Sequence, residues 1–286
     1  MAPEIIFLAL LSILAGAADS ATWNFTRCVK SCQCYSENNV NILDCFNSSL
    51  ELFPEPESIP SDVHLINLSH NSIRFIPDSY MFWHPECVVL DISYNKLGNL
   101  PNFEGLYRLK QLNLANNSLP YLPKNGFAPL IYLEELHLEA NQIAFISQCA
   151  FQNLYSLRKL DLSWNKLQNL PYLIDLQNLQ EFYADGNLIE NPEWKFLDLP
   201  SLRSLSMAWN NLYQLEPLAL QNVLKLESLN LAHNHFSILP RNFLQPVAAT
   251  LKKIDLSFLP IDSISSGDFL NLHALQEIDL SSKFFR

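Results

Sequence analysis

One nine-residue pattern recurs from residue 63 to the last residues of the chain, and it constrains the fold more than any other feature. In the first copy, Val63, Ile66 and Leu68 are followed by Asn71, which places apolar residues at positions 1, 4 and 6 and asparagine at position 9. Successive position-9 residues differ by 22 to 25 residues. A fixed period of this length is typical of a solenoid, in which each unit packs on the next. The ten position-9 residues are Asn71, Asn95, Asn117, Asn141, Asn165, Asn187, Asn210, Asn234, Leu259 and Lys283.

Each copy predicts a short strand. Side chains alternate across a strand, so positions 4 and 6 point into a core and positions 3, 5 and 7 point outward. One such strand is too short to bury its own apolar side. Stacked copies, by contrast, form a parallel sheet over one continuous core. The asparagine lies where the chain leaves the strand, and its amide can satisfy the backbone groups of that bend. The predicted fold class is therefore α/β, with a structural asparagine ladder.

The N-terminal segment has the layout of a signal peptide. An apolar run over residues 5–14 precedes Ala15-Gly16-Ala17, which are small residues of the kind that signal peptidase accepts. The run is too short to cross a bilayer as a helix. We therefore predict a signal peptide over residues 1–17. The alternative is a buried N-terminal helix, because Glu4 stands where a basic residue is usual.

Four cysteines, Cys28, Cys32, Cys34 and Cys45, follow directly. An exported chain favours two disulfides among them, with a zinc site as the alternative, and spacing alone leaves the three possible pairings open. Cys87 and Cys149 are expected to be unpaired and buried, as small apolar residues.

The repeats and the cysteine cluster together resemble the extracellular leucine-rich repeat family with a cysteine-rich N-terminal cap, of the Toll-like receptor ectodomain or cell-surface adhesion type. The resemblance implies a right-handed horseshoe solenoid with a concave parallel sheet. It divides the chain into a cap over residues 18–62 and about ten repeats over residues 63–286. It also implies the pairs Cys28–Cys34 and Cys32–Cys45. Secreted members usually end with a second cysteine-rich cap, and this sequence has none, so we expect the chain to be a fragment or truncated splice form of a longer protein. The alternative is that something else covers that end.

Composition argues against several functions. The net charge is −11 and the 18 Lys and Arg residues are scattered, which disfavours nucleic-acid binding. No catalytic or phosphate-binding motif is present, so we predict no enzyme activity, no cofactor and no metal. His233 and His235 lack a third ligand nearby. Asp and Ser recur at outward positions, and we expect the adjacent strands to hold no His or Cys ligand set that would complete a metal site. These residues are Asp91, Asp161, Asp255, Asp279, Ser93, Ser163, Ser257 and Ser281.

Bulky aromatic residues at position 8 are the candidate binding residues, because Trp, Tyr and Arg dominate interface hot spots. Trp164 and Trp209 flank Gly186, which predicts a shallow gap between two rings. The alternative is that the rings only cover the margin of the sheet. Glu134, Glu135 and Glu139 face Arg158 and Lys159, which favours internal ion pairs. The complete candidate set is Tyr94, Arg158, Trp164, Tyr183, Asp185, Arg203, Trp209 and Phe258.

Four N-x-[ST] sequons, at Asn24, Asn47, Asn67 and Asn116, are predicted glycosylation sites. Asn67 lies at an outward position of the first repeat, so a glycan there would leave the middle repeats for a ligand.

These features predict a non-catalytic, exported module that binds a protein on its concave face, as a piece of a receptor or adhesion ectodomain. The alternative is a secreted matrix or carrier protein. The location is extracellular, or the cell surface if the full-length protein has an anchor beyond Arg286.

Overall fold

The computed structural model describes residues 28–281, except residues 174, 193, 195, 196, 262–268 and 270. The predicted signal peptide and Asn24 therefore lie outside the described residues. Twelve strands form one sheet in the order β1-β2-β3-β4-β5-β7-β9-β10-β11-β12-β13-β14, and β6 pairs with β8 separately. The strands are β1 (Gln33–Glu37), β2 (Val40–Asp44), β3 (Leu65–Asn67), β4 (Val89–Asp91), β5 (Gln111–Asn113), β6 (Tyr121–Leu122), β7 (Glu135–His137), β8 (Phe145–Ile146), β9 (Lys159–Asp161), β10 (Glu181–Tyr183), β11 (Ser204–Ser206), β12 (Ser228–Asn230), β13 (Lys253–Asp255) and β14 (Glu277–Asp279).

The repeats stack in strict parallel register, which confirms the predicted solenoid. Each repeat contributes a three-residue strand at positions 3 to 5, and equal positions pair across neighbours, as Leu65 does with Val89 and Gln111 with Glu135. The helical part of the fold is small. Among the described residues, 3₁₀ turns lie at Pro56–Ser58, Tyr80–Trp83 and Gln245–Val247, and Trp194 also has 3₁₀ geometry.

The core lies beneath the sheet and runs through the whole stack. Position-4 and position-6 side chains such as Leu136 and Leu138 are fully buried, as the pattern predicts. On the return side of the repeats, Phe103, Phe127 and Phe151 stack with ring centroids 5.8 and 6.0 Å apart. Each unit thus buries its apolar side only against the equivalent side chains of the units next to it.

The position-9 asparagines form the predicted ladder. In the fifth repeat, Asn165 Oδ1 accepts the N–H of Ile143 at 2.9 Å. Its Nδ2 donates to the carbonyls of Leu138 and Leu162, both at 3.0 Å, and of Ser163 at 3.2 Å. One buried amide therefore joins the backbones of two successive turns. Leu259 provides no oxygen for this role in the ninth copy.

The N-terminal cap closes the first repeat. Its two disulfides join Cys28 to Cys34 and Cys32 to Cys45, which confirms the pairing implied by the family resemblance. Strands β1 and β2 form an antiparallel hairpin, and β2 pairs in parallel with β3. Next to the cap, the first strands depart from the rule that position 3 points to solvent. Position-3 side chains there are buried in a small apolar cluster formed by Val40, Ile42, Leu65 and Val89.

The two remaining cysteines are unpaired. Cys87 is fully buried, as predicted, and burial raises the pKa of its thiol to about 12. Cys149 is unpaired as predicted but only half-buried, so the prediction that it is buried is wrong. Among the described residues, no helix is long and apolar enough to span a membrane.

Candidate functional site

The position-8 residues form a continuous column along one margin of the sheet, which we call the aromatic margin. All its members have a left-handed backbone, with φ between 49° and 62°. That conformation is rare and costly for bulky residues. Here it is fixed by hydrogen bonds to the following turn, as in the N–H of Trp209 donating to the carbonyl of Ala232 at 3.0 Å. The column consists of Asn47, His70, Tyr94, Asn116, Ala140, Trp164, Gly186, Trp209, His233 and Phe258.

The C-terminal half of the aromatic margin is a stack of rings. Trp209 lies 3.5 Å from His233, and His233 lies 4.2 Å from Phe258, in each case measured between ring centroids of nearly parallel rings. Trp164 reaches Trp209 at 6.5 Å in a tilted arrangement. Even so, Trp164, Trp209 and Phe258 stay 56%, 53% and 42% exposed. The rings therefore pack on one another and still present one face to solvent.

Gly186 is the reason that the stack is unbroken. A Cβ at this position would lie 2.4 Å from Cε3 of Trp164. The indole covers the glycine, so the predicted shallow gap between Trp164 and Trp209 does not exist. The absence of a side chain allows one ring to reach over a whole repeat.

Tyr183 and Asp185 lie on the face of the sheet formed by positions 3, 5 and 7, which we call the open face. Asp185 Oδ1 accepts the hydroxyl of Ser206 at 2.5 Å and the N–H of Ala208 at 2.7 Å. The Tyr183 hydroxyl donates to Glu181 at 3.1 Å. Asp185 therefore has a structural role, since it replaces the acceptor that position 5 supplies in other repeats.

The position-5 acceptor explains why Asp and Ser recur on the open face: the carboxylate at position 5 accepts the N–H of the residue at position 7. Asp91 Oδ1 accepts the N–H of Ser93 at 2.8 Å, and Asp161 Oδ1 accepts that of Ser163 at 2.9 Å. Each carboxylate thus stabilises the bend after its own strand. Burial raises the pKa of both carboxyls above the ordinary value.

The two predicted arginines are not part of the aromatic margin. Arg158 and Arg203 occupy position 2, before the strands begin, and position 8 follows six residues later, up to about 20 Å away. Arg158 lies 4.0 Å from Glu134, and Arg203 pairs with Glu227, which Lys252 also contacts at 2.6 Å. The expected internal pairing at Glu134 is confirmed. Sequence reasoning combined residues from two edges of the sheet because it compared repeats and not positions within a repeat.

The structure also shows a cluster of polar residues that the sequence interpretation missed. His137 at position 5 pairs in register with Asp161, so the expectation of no histidine beside the aspartates is wrong at this place. Its Nε2 lies 3.6 Å from Glu135 and its Nδ1 lies 3.7 Å from Glu139. Burial alone would lower the pKa of His137, but these two carboxylates outweigh it and raise the pKa to about 9.

Three of the four sequons lie within the described residues. Asn47 and Asn116 belong to the aromatic margin and enclose its N-terminal ring pair, His70 and Tyr94, whose centroids are 4.1 Å apart. Asn67 is different, because its Nδ2 donates to Asp44 at 3.0 Å and its Oδ1 accepts from Ser69 at 2.7 Å.

Glycan occupancy should follow these contacts. We expect glycans on Asn47 and Asn116 and little or none on Asn67, because a sugar on its Nδ2 would break the bond to Asp44 and stand on the first strand. Deglycosylation in ¹⁸O-labelled water followed by peptide mass spectrometry measures each site. High occupancy at Asn67 in folded protein would contradict this assignment.

Comparison with known proteins identifies the repeat. A family model described as "Leucine rich repeat" matches residues 85–143 and 131–189, and a second, "Leucine Rich Repeat", matches residues 225–245. These residues of the chain are leucine-rich repeats. A chain of the solved octameric complex of Latrophilin 3, Unc5D and FLRT2 (LRR) is similar with a TM-score of 0.78 and 27% identity, over 89% of this chain and 77% of that chain.

Curated relatives match shorter stretches of the chain. Leucine-rich repeat-containing protein 3 of Danio rerio is 30% identical over 129 residues, which is 44% of this chain and 46% of the relative. Osteomodulin of Bos taurus is 37% identical over 87 residues, which is 29% of this chain and 20% of the relative. The chain therefore spans less than half the length of these relatives.

The aromatic margin has the geometry of a surface that binds a partner by direct contact. The aromatic margin offers apolar rings that already pack on one another, so little side-chain freedom is lost when a partner covers them. Its C-terminal half lies away from the sequons at Asn47 and Asn116, and contains the largest exposed rings.

Proposed function

We propose that this chain is a non-catalytic extracellular module that binds a protein ligand along the C-terminal half of the aromatic margin. The observation that carries the proposal is the stack formed by Trp164, Trp209, His233 and Phe258. Trp164, Trp209 and Phe258 remain 56%, 53% and 42% exposed although they pack in one stack with the partly buried His233. Exposed aromatic residues are typical interface anchors.

The rest of the surface supports the same location. Charged side chains at position 2 neutralise one another in ion pairs. Glu134 contacts Lys110 at 3.0 Å, and Glu227 contacts Lys252 at 2.6 Å. That edge therefore provides no strongly charged patch to attract a partner. Similarity to a chain of a multi-protein complex that contains FLRT2 supports a receptor or adhesion ectodomain. Similarity to osteomodulin favours the second candidate, a secreted matrix or carrier protein.

Replacing one ring tests the proposal. The secreted protein is screened against soluble ectodomains and matrix proteins, and the affinity of any partner is then measured for Trp209→Ala. We expect a loss of about 30-fold or more, which corresponds to about 2 kcal/mol for a central aromatic anchor.

Tyr213→Ala is the matched control, because Tyr213 is 60% exposed and lies outside the aromatic margin. The control should bind like the wild type. Equal affinity of Trp209→Ala and wild type for every partner would place the binding surface elsewhere. A partner on a neighbouring cell membrane supports the receptor function, and a fibrillar or soluble partner supports the matrix or carrier function.

A further inference from the structure

Three side chains on the open face of β7 and β9 converge near the middle of the solenoid. The ligand atoms of His137, Glu139 and Asp161 all lie within 4.8 Å of one another. His137 and Asp161 are paired across the two strands, and Glu139 follows His137 by two residues, so the three side chains rise from the same face. Imidazole and carboxylate ligands together are typical of divalent transition metals, whereas Ca²⁺ prefers oxygen ligands alone.

The contact between His137 and Glu139 is the second observation. Oε2 of Glu139 is buried and has no hydrogen-bond partner among the described residues, although it lies 3.7 Å from Nδ1 of His137. That separation is too long for a hydrogen bond. Two ligands that each lie about 2.1 Å from one tetrahedral ion are about 3.4 Å apart. The pair is therefore spaced more nearly for a shared ion than for a direct bond.

The other ring nitrogen of His137 is also arranged for coordination. Its Nε2 faces the Glu135 carboxylate at 3.6 Å. A carboxylate behind a histidine fixes the ring and raises its basicity in metal sites. Asp161 uses Oδ1 for the N–H of Ser163, which leaves Oδ2 for an ion. One charge opposes binding, the Lys159 ammonium, whose Nζ lies 5.9 Å from the centre of the Tyr183 ring.

We propose that His137, Glu139 and Asp161 bind one divalent transition-metal ion, of which Zn²⁺ is the natural extracellular representative, with an open coordination position toward solvent. Side-chain rotations that shorten the separations by about 1.4 Å or less bring all three ligands into range, since two ligands of one tetrahedral ion are about 3.4 Å apart and these atoms lie within 4.8 Å of one another. Binding displaces a proton from His137, because the imidazole must be neutral to coordinate.

Calorimetric titration of the secreted chain with ZnCl₂ at pH 7.4 tests the proposal. We expect one ion per chain with a micromolar or lower dissociation constant. Glu139→Gln and Asp161→Asn should each weaken binding at least tenfold, and the second keeps the acceptor for Ser163. Glu135→Gln should weaken binding about tenfold although it removes no ligand, and Lys159→Gln should strengthen it.

The control is His235→Gln, which removes an exposed histidine from another repeat. Each variant should have the circular dichroism spectrum and melting temperature of the metal-free wild type, which verifies that it folds. The proposal is wrong if the wild type binds no stoichiometric Zn²⁺, or if only His235→Gln loses it. It is also wrong if CaCl₂ binds as tightly as ZnCl₂ and His137→Gln leaves both unchanged. Zinc-edge anomalous scattering from wild-type crystals locates the ion directly, and a peak away from His137 would overturn the assignment.

Discussion

Asn165→Ala should lower the free energy of unfolding by about 3–5 kcal/mol. The amide makes four hydrogen bonds to the backbones of two turns. Its loss leaves the buried N–H of Ile143 without a partner, and the carbonyl of Leu138 keeps only the bond from Asn141. A net hydrogen bond contributes about 1 kcal/mol, and a buried polar group without a partner costs about 1–3 kcal/mol more. Urea unfolding followed by tryptophan fluorescence and by circular dichroism measures the change.

Asn169→Ala is the matched control, because it is the same substitution four residues later at an exposed site. We expect a change within about 0.5 kcal/mol for a surface position of this kind. Equal losses for Asn165→Ala and Asn169→Ala would show that the ladder does not hold the turns together. Because neighbouring repeats share each asparagine, the loss should also increase hydrogen exchange at the amide of Ile143.

His84 should make the fold sensitive to acid. It is fully buried after the 3₁₀ turn at Tyr80–Trp83, and neither ring nitrogen has a hydrogen-bond partner among the described residues. Burial lowers its pKa from 6.5 to about 4. The unfolded chain therefore binds a proton between pH 6.5 and 4 that the folded chain does not bind, and stability falls as the pH falls. Between pH 6.5 and 4 the free energy of unfolding falls by about 3 kcal/mol through this group, and about 2 kcal/mol of that is lost by pH 5.

His84→Leu isolates this effect. Removing a buried imidazole without partners should raise stability at pH 7 by about 1 kcal/mol or more. It should also flatten the acid side of the profile, although the raised pKa values of Asp91 and Asp161 act in the opposite direction in both proteins. Urea midpoints at intervals from pH 7.5 to 4.5 measure the difference between the two chains. Parallel profiles for wild type and His84→Leu would contradict the assignment.

Most of the fold follows from the nine-residue pattern. The register of the strands, the buried positions 4 and 6 and the asparagine ladder all depend on contacts that repeat, so one copy predicts the next. Cys149 is less buried than predicted because it lies in the return segment, where the repeat is less regular. The small helical content was not predictable either, since the pattern defines strands and leaves the path of the return segment open.

The candidate site was less predictable because it depends on exceptions to the pattern. Gly186 was expected to open a gap, but the neighbouring indole fills it, and ring orientation is not encoded in spacing. The aromatic margin itself was visible as position 8, whereas its left-handed backbone required the hydrogen bond to the next turn. His137 could have been found by comparing position 5 across neighbouring repeats, since Asp161 is its paired residue.

The strict pairing of each strand with only its two neighbours has a consequence for how such a chain evolves. Duplicating or deleting one unit of about 24 residues changes two junctions and leaves every other junction as it was. The length of the ring column, and with it the footprint of a partner, can thus change in whole steps while the architecture is inherited intact. A single tryptophan introduced at position 8 would extend that footprint by one step.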